Sequence, residues 1–310
     1  MFFLFQMLIP TTKHEFGFLP NEFEGSFDGV IISVKPDFKE TSEWVNTRTN
    51  IDGYFYPPLV ATYEFDPDNE KTRKKVSNSE KPATVFHLPP SHFVVVNKPV
   101  SLNDPKVSDE ALIIHALGFL FGTTLQFKEW RFVGRVPIKK NNSLLIRNDT
   151  AIHFIEHLYS WWTTLDPSLQ TKVINIIYLH TKACSIKSEW ESFSLQYMIL
   201  DAIFNVYSHL HPPPPRRIGH AKRILFLCDY YGIAYEKNLV EEICKARNEL
   251  FHEAMWADTI LGMGRSNRRF GRCLGRLNEK LICSLSGYNN KFSKEAWHRM
   301  GWSSFDLFKS

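Results

Sequence analysis

Ser108-Asp109-Glu110-Ala111-Leu112-Ile113-Ile114-His115-Ala116-Leu117-Gly118-Phe119-Leu120-Phe121 is where the chain changes its period. Leu112, Ile113, Ala116, Leu117 and Leu120 recur at helical spacing behind Ser108-Asp109-Glu110, a start signal whose side-chain oxygens satisfy the bare amides of a first turn. The spacing predicts a helix over 109–121 and a boundary near Asp104. Upstream the chain is rich in proline, glycine and aromatics, with β-like runs at Gly29–Val34, Tyr54–Phe65, Thr84–Leu88 and His92–Asn97. Downstream, Leu125–Ile138 reads as extended, and periodic segments follow near 150–165, 168–182, 187–209, 216–231 and 236–256. The expected architecture is α+β, with a β-rich domain over 1–104 and an all-α bundle over 105–310.

The 310 residues are 44% hydrophobic and 14% aromatic, ample for packed cores, and a net charge of +4 excludes a polycation built to coat nucleic acid. The opening Met1–Pro10 is apolar but lacks a basic start and is too short to span a bilayer, so a first strand is expected rather than a signal peptide or membrane anchor. Cys184, Cys228, Cys244, Cys273 and Cys283 form no C-x-x-C pair, which predicts reduced thiols in a cytoplasm. Asp66–Lys81, with Lys71, Arg73, Lys74 and Lys75, reads most simply as a solvated hairpin loop, although it could brush a phosphate backbone. Pro212 to Pro215 predict a stiff connector between two helices.

Arg247-Asn248-Glu249-Leu250-Phe251-His252 carries the chemistry. The surrounding segment from Glu236 to Met255 places Val240, Ile243, Leu250 and Ala254 at the centre of an apolar arc, and Arg247 falls within that arc. A buried unpaired guanidinium costs several kcal/mol, so Arg247 must meet a carboxylate, a second subunit or an anion such as phosphate. Asn248 and His252 lie four apart and share a face, close enough to hydrogen-bond and hold one imidazole tautomer. Arg247 and His252 lie about 140° apart on an ideal helix, so the long guanidinium must reach round to the ring.

Arginine, a polar residue and histidine at this spacing, late in a helical region, resemble the signature of the HEPN superfamily. The resemblance covers roughly Pro105 to Leu285, and Glu253-Ala254-Met255-Trp256 looks like sequences common in that group. It implies an endoribonuclease that cuts RNA without metal or other cofactor, leaving 2′,3′-cyclic phosphate ends. His252 would be the general acid or base toward the ribose 2′-hydroxyl, Arg247 would stabilise charge on the phosphate, and a homodimer would complete the site. The division suits the groups, because imidazole titrates near neutrality whereas guanidinium stays charged and donates in pairs. Toxins of this superfamily that are paired with a nucleotidyltransferase antitoxin commonly carry tyrosine two residues after the histidine. Here Ala254 stands there, so control by modifying that tyrosine is not expected. The resemblance also implies bacterial anti-phage defence or toxin action, a phage-derived trigger, and a sensing role for the β-rich region.

Arg265, Arg268, Arg269, Arg272 and Arg276 form the strongest basic segment, and Trp256 and Phe270 are nearby candidates for stacking on RNA bases. The same arginines would equally be the wet face of a terminal helix. Arg147-Asn148 with His153 repeats the arginine-to-histidine spacing, but a turn signal at Asn148-Asp149-Thr150 places this arginine before a helix. His153-Phe154-Ile155-Glu156-His157 reads H-x-x-E-H and would suit a zinc hydrolase, though an ordinary polar stripe accounts for it. A third alternative makes the bundle a non-catalytic module for dimerisation or for binding nucleotide or RNA.

Overall fold

The computed structural model describes residues 12–56, 59–65, 73–82, 85–97, 107–127, 132–133, 135–138, 144–211, 218–256, 261, 270–298 and 303–305. Strands β1 (Thr12–Gly17), β2 (Gly25–Phe27) and β3 (Val30–Val34) are followed by helix α1 (Phe38–Asn46) and strand β4 (Tyr54–Phe55). A hairpin of β5 (Leu59–Phe65) and β6 (Arg73–Pro82) leads to β7 (Val85–Phe86) and β8 (His92–Val96). Helix α2 (Asp109–Phe121) precedes four two-residue strands, β9 (Gln126–Phe127), β10 (Phe132–Val133), β11 (Val136–Pro137) and β12 (Leu144–Leu145). The remainder is helical: α3 (Asn148–Trp162), α4 (Pro167–Ser185), α5 (Glu189–Leu210), α6 (His220–Tyr231), α7 (Lys237–Glu253), α8 (Phe270–Leu285) and α9 (Lys291–Lys294), with β13 (Ser303–Ser304) after it. The fold is α+β, and none of the described helices is long and apolar enough to cross a membrane.

The main sheet has the order β2-β3-β8-β1-β9 and is antiparallel throughout. Val30 pairs with Val96 and Ile32 with Val94, and all four side chains are buried on one face, while Ile31 points to the other. That period-2 alternation is what a sheet covered on one side requires. The cover is α2, buried at every position, with Ser108 Oγ accepting from the Ala111 amide and Gly122 ending the helix in the left-handed region. A helix that is apolar all round belongs inside a core. It packs on β8 with one side and on α3 and α4 with the others, so one cluster of buried side chains runs from Phe16 and Val94 through Leu117 to Ile203 and Leu281. At the sheet edge, a side chain on Gly25 would lie 2.1 Å from Ile152 Cδ1, so glycine is what lets β2 meet α3.

The structure departs from the sequence expectations in three elements. Helix α1 falls inside the β-rich region and buries Phe38, Thr41 and Val45, a short helical period. Residues 73–81, expected within a loop, belong to β6, with Lys74 in register with Glu64 and Lys75 with Tyr63. Helix α8 keeps Arg272 and Arg276 on its open side, as a wet face would, but polar residues beyond them are buried with its apolar ones: Leu274, Leu277, Asn278, Glu279, Lys280 and Leu281. It packs against α5 through Gly271 and Gly275, where added Cβ atoms would sit 3.0 Å from Phe193 N and 3.3 Å from Gln196 Nε2. Met1–Pro10, Asp104 and Pro212–Pro215 lie outside the described residues.

Candidate active site at the end of the seventh helix

Helix α7 buries Val240, Ile243, Ala246 and Leu250. Its apolar arc is narrower than the sequence pattern, because Phe251 and Met255 are 50% and 38% exposed and Ala254 is exposed. The helix also ends early. Ala254 takes φ 53° as its left-handed C-cap, and the Met255 amide donates back to Glu249 O. A left-handed alanine costs about 1 kcal/mol, and it turns the chain so that Trp256 enters the core.

Arg247 lies half-buried at the edge of the arc rather than inside it. Its Nη1 is 3.1 Å from Asn248 Oδ1 and 3.0 Å from His252 Nε2. The contact that joins Asn248 to His252 is therefore one guanidinium. Because guanidinium only donates, Nε2 is the accepting nitrogen and the neutral ring carries its proton on Nδ1. The Phe251 and Tyr197 rings hold the guanidinium carbon at 5.2 and 5.9 Å from their centres. Arg247 Nε is buried without a hydrogen-bond partner among the described residues, so the guanidinium is only partly satisfied.

Two further helices supply groups to this corner. On α5, the Tyr197 ring lies 5.7 Å from that of His220, the first residue of α6, at a tilt of 58°, and Asp201 lies 3.9 Å from His220 Nδ1 and 3.1 Å from Arg223 Nη1. Burial pushes the His220 pKa below its ordinary value and the Arg247 charge adds to this, against the pull of Asp201. His220 thus stays neutral beside a fixed cation. On the other flank of Asn248 an open cleft of about 440 Å³ is lined by Glu241, Glu249 and Glu253 against Lys245. Three carboxylates repel anions, so the flank that can take an anionic group is the one bearing Arg247 and His252.

The stacking candidates are not on that surface. Trp256 is 5% exposed, with its ring 4.8 Å from Phe193 and 6.3 Å from Phe270, itself buried. Arg272 is exposed and Arg276 half-buried on α8, while Arg265, Arg268 and Arg269 lie outside the described residues. Arg147 is the N-cap residue of α3 and pairs with Asp149 at 3.5 Å, before the helix as its turn signal implied. In the H-x-x-E-H segment, His157 Nε2 is 2.7 Å from Ser286 O, and the rings of His153 and His157 both lie against Tyr288. That histidine nitrogen is occupied by the backbone.

The chain matches no family model, no curated protein and no solved structure. The chemistry of the site therefore rests on its residues. Sequence reasoning missed Tyr197, Asp201 and His220, which sit on two other helices and have no fixed spacing to Arg247. It also missed a group elsewhere in the bundle: His180, Cys184 and Glu279 have ligand atoms within 4.8 Å of one another, the one such group among the described residues. Its only trace in sequence is a histidine four residues before a cysteine.

Proposed function

We propose that this chain is a metal-independent endoribonuclease of the HEPN kind, with Arg247, Asn248 and His252 as its site. The observation that carries the reading is the contact of one guanidinium with both neighbours, at 3.1 Å to Asn248 and 3.0 Å to His252. In the reaction, His252 Nε2 takes the proton of a ribose 2′-hydroxyl as its oxygen attacks the adjacent phosphorus. Arg247 turns its donors to the phosphate oxygens, where negative charge grows, and Asn248 keeps it in place. The 5′-oxygen leaves with a proton, and a 2′,3′-cyclic phosphate remains. One ring cannot be base and acid in the same instant, so a second copy of the chain supplies the other imidazole. Half-exposed Phe251 and Met255 beside the motif give such a copy an apolar rim to cover.

The five free cysteines agree with a reducing cytoplasm. Anti-phage defence, a phage-derived trigger and a sensing role for the β-rich region follow from the resemblance alone. The test is cleavage of labelled transfer RNA and total RNA by the full chain in EDTA, with its helical circular-dichroism signal followed in the same sample. His252→Ala and Arg247→Ala should each lower the rate by about 10²- to 10⁴-fold with the fold intact. Equal cutting by wild type and both variants, or no cutting even with phage components present, would leave the non-catalytic module as the better reading.

A further inference from the structure

The His180, Cys184 and Glu279 group lies between α4 and α8, with His180 and Glu279 buried and Cys184 half-buried. His180 and Cys184 stand four apart on one face of α4, and the close approach of α8 at Gly271 and Gly275 brings Glu279 to them. His180 Nε2 is 3.6 Å from Cys184 Sγ and 3.8 Å from Glu279 Oε1. Zinc bonds of about 2.0–2.3 Å at tetrahedral angles separate nitrogen from sulfur by about 3.6 Å and nitrogen from oxygen by about 3.4 Å. The observed distances are close to two edges of that tetrahedron, whereas 3.8 Å is too long for an N–H···O hydrogen bond.

The surroundings select the ligating atoms. His180 Nδ1 is 3.2 Å from Gln196 Oε1, an oxygen that also accepts from Asn278 Nδ2 at 2.8 Å. With the Nδ1 proton given to that carbonyl, Nε2 is the nitrogen turned to Cys184 and Glu279, the outer-sphere arrangement that fixes metal-binding histidines. Two buried acceptors, Glu279 Oε2 and Asn278 Oδ1, have no hydrogen-bond partner among the described residues. A buried carboxylate left in that state is expensive. A thiolate, a carboxylate and a neutral imidazole around a divalent cation sum to zero charge, which a core tolerates, and this S, N, O set suits zinc over magnesium or calcium.

We infer that His180 Nε2, Cys184 Sγ and Glu279 Oε1 bind a zinc ion that ties α4 to α8, with a water molecule in the fourth position. The site is separate from the RNA-cleaving reading: Gln196 faces the zinc, and its neighbour Tyr197 faces Arg247. The metal would brace the helix behind the active corner and take no part in phosphodiester chemistry.

The test measures zinc in the full-length protein after gel filtration in metal-free buffer, beside Cys184→Ser and Glu279→Gln. Wild type should hold one zinc per chain and each variant less than about a tenth of that. Cobalt(II) added to wild type stripped of metal should give a thiolate-to-cobalt absorption band. That band decides the matter even if a variant fails to fold. Equal zinc in wild type and folded Cys184→Ser, or cobalt-loaded wild type without the band, would overturn the inference.

Discussion

Two histidines in this molecule lie in opposite surroundings. His252 sits exposed on the last turn of α7, its partner a guanidinium that is itself only half-buried. His180 is 2% exposed inside the bundle, ringed by Cys184, Gln196 and Glu279. Groups at the wet site can take up and release an anion, because water compensates them in the interval. The dry site cannot, so its polar atoms must be permanently satisfied. Other buried histidines sharpen the contrast. Burial pushes His92 and His115 down to about 4, whereas against burial Cys184 and Glu279 hold the metal-free His180 up to about 10, so a zinc ion would bind there by displacing the Nε2 proton. Neighbours, and not depth alone, decide what a buried ring does.

The comparison breaks most sharply under paired substitution. His180→Ala leaves a thiol and a carboxyl stranded in the core and should cost about 3–5 kcal/mol in chemical denaturation. His252→Ala should stay within about 0.5 kcal/mol of wild type. Equal losses would mean that the exposed histidine is structural after all.

Trp256 tests the border between the two regimes, two residues after Ala254 turns the chain inward. Its ring packs on Phe193, so Trp256→Ala should cost about 3–5 kcal/mol through the cavity it opens. RNA affinity should fall only as far as the fold is lost. A stable variant with weakened RNA binding would return Trp256 to the stacking surface expected from sequence.

The most gradual effect is the acid limb of stability, smaller for each ring than the cost of His180→Ala or Trp256→Ala. For His92 and His115 the folded value near 4 lies below the ordinary 6.5, so the unfolded chain takes up protons first as pH falls. Their contribution is complete above pH 6.5 and disappears as pH falls toward 4, by roughly 2 kcal/mol per ring at about pH 5. Urea midpoints should therefore decline steadily below neutrality, and a flat profile from pH 7 to 5 would contradict this.

Much of the scaffold was legible in the chain. The helix over 109–121 begins where its serine start signal stands, because a cap is local chemistry that needs no tertiary partner. The runs at Gly29–Val34 and His92–Asn97 read as strands, but their buried face did not, because Ile31 and Val95 are as apolar as Val30, Ile32, Val94 and Val96. Helix α1 escaped notice because its nine residues offer one short apolar period among prolines and aromatics. The burial of α8 was hidden for another reason: Asn278, Glu279 and Lys280 read as solvent-facing until α5 closes over the two glycines beneath them.

By itself the sequence determined the α+β class, the run of helices, and the order of arginine, asparagine and histidine on α7, since each depends on periods and spacings within one segment. Only the tertiary structure decided that one guanidinium touches both Asn248 and His252 and that Trp256 is core. The same holds for the approach of Tyr197, Asp201 and His220 to Arg247, and for the meeting of His180 and Cys184 with a glutamate 95 residues after the cysteine. Those facts depend on which helix faces which, and that is set by the packing of the whole apolar cluster rather than by any local stretch of chain.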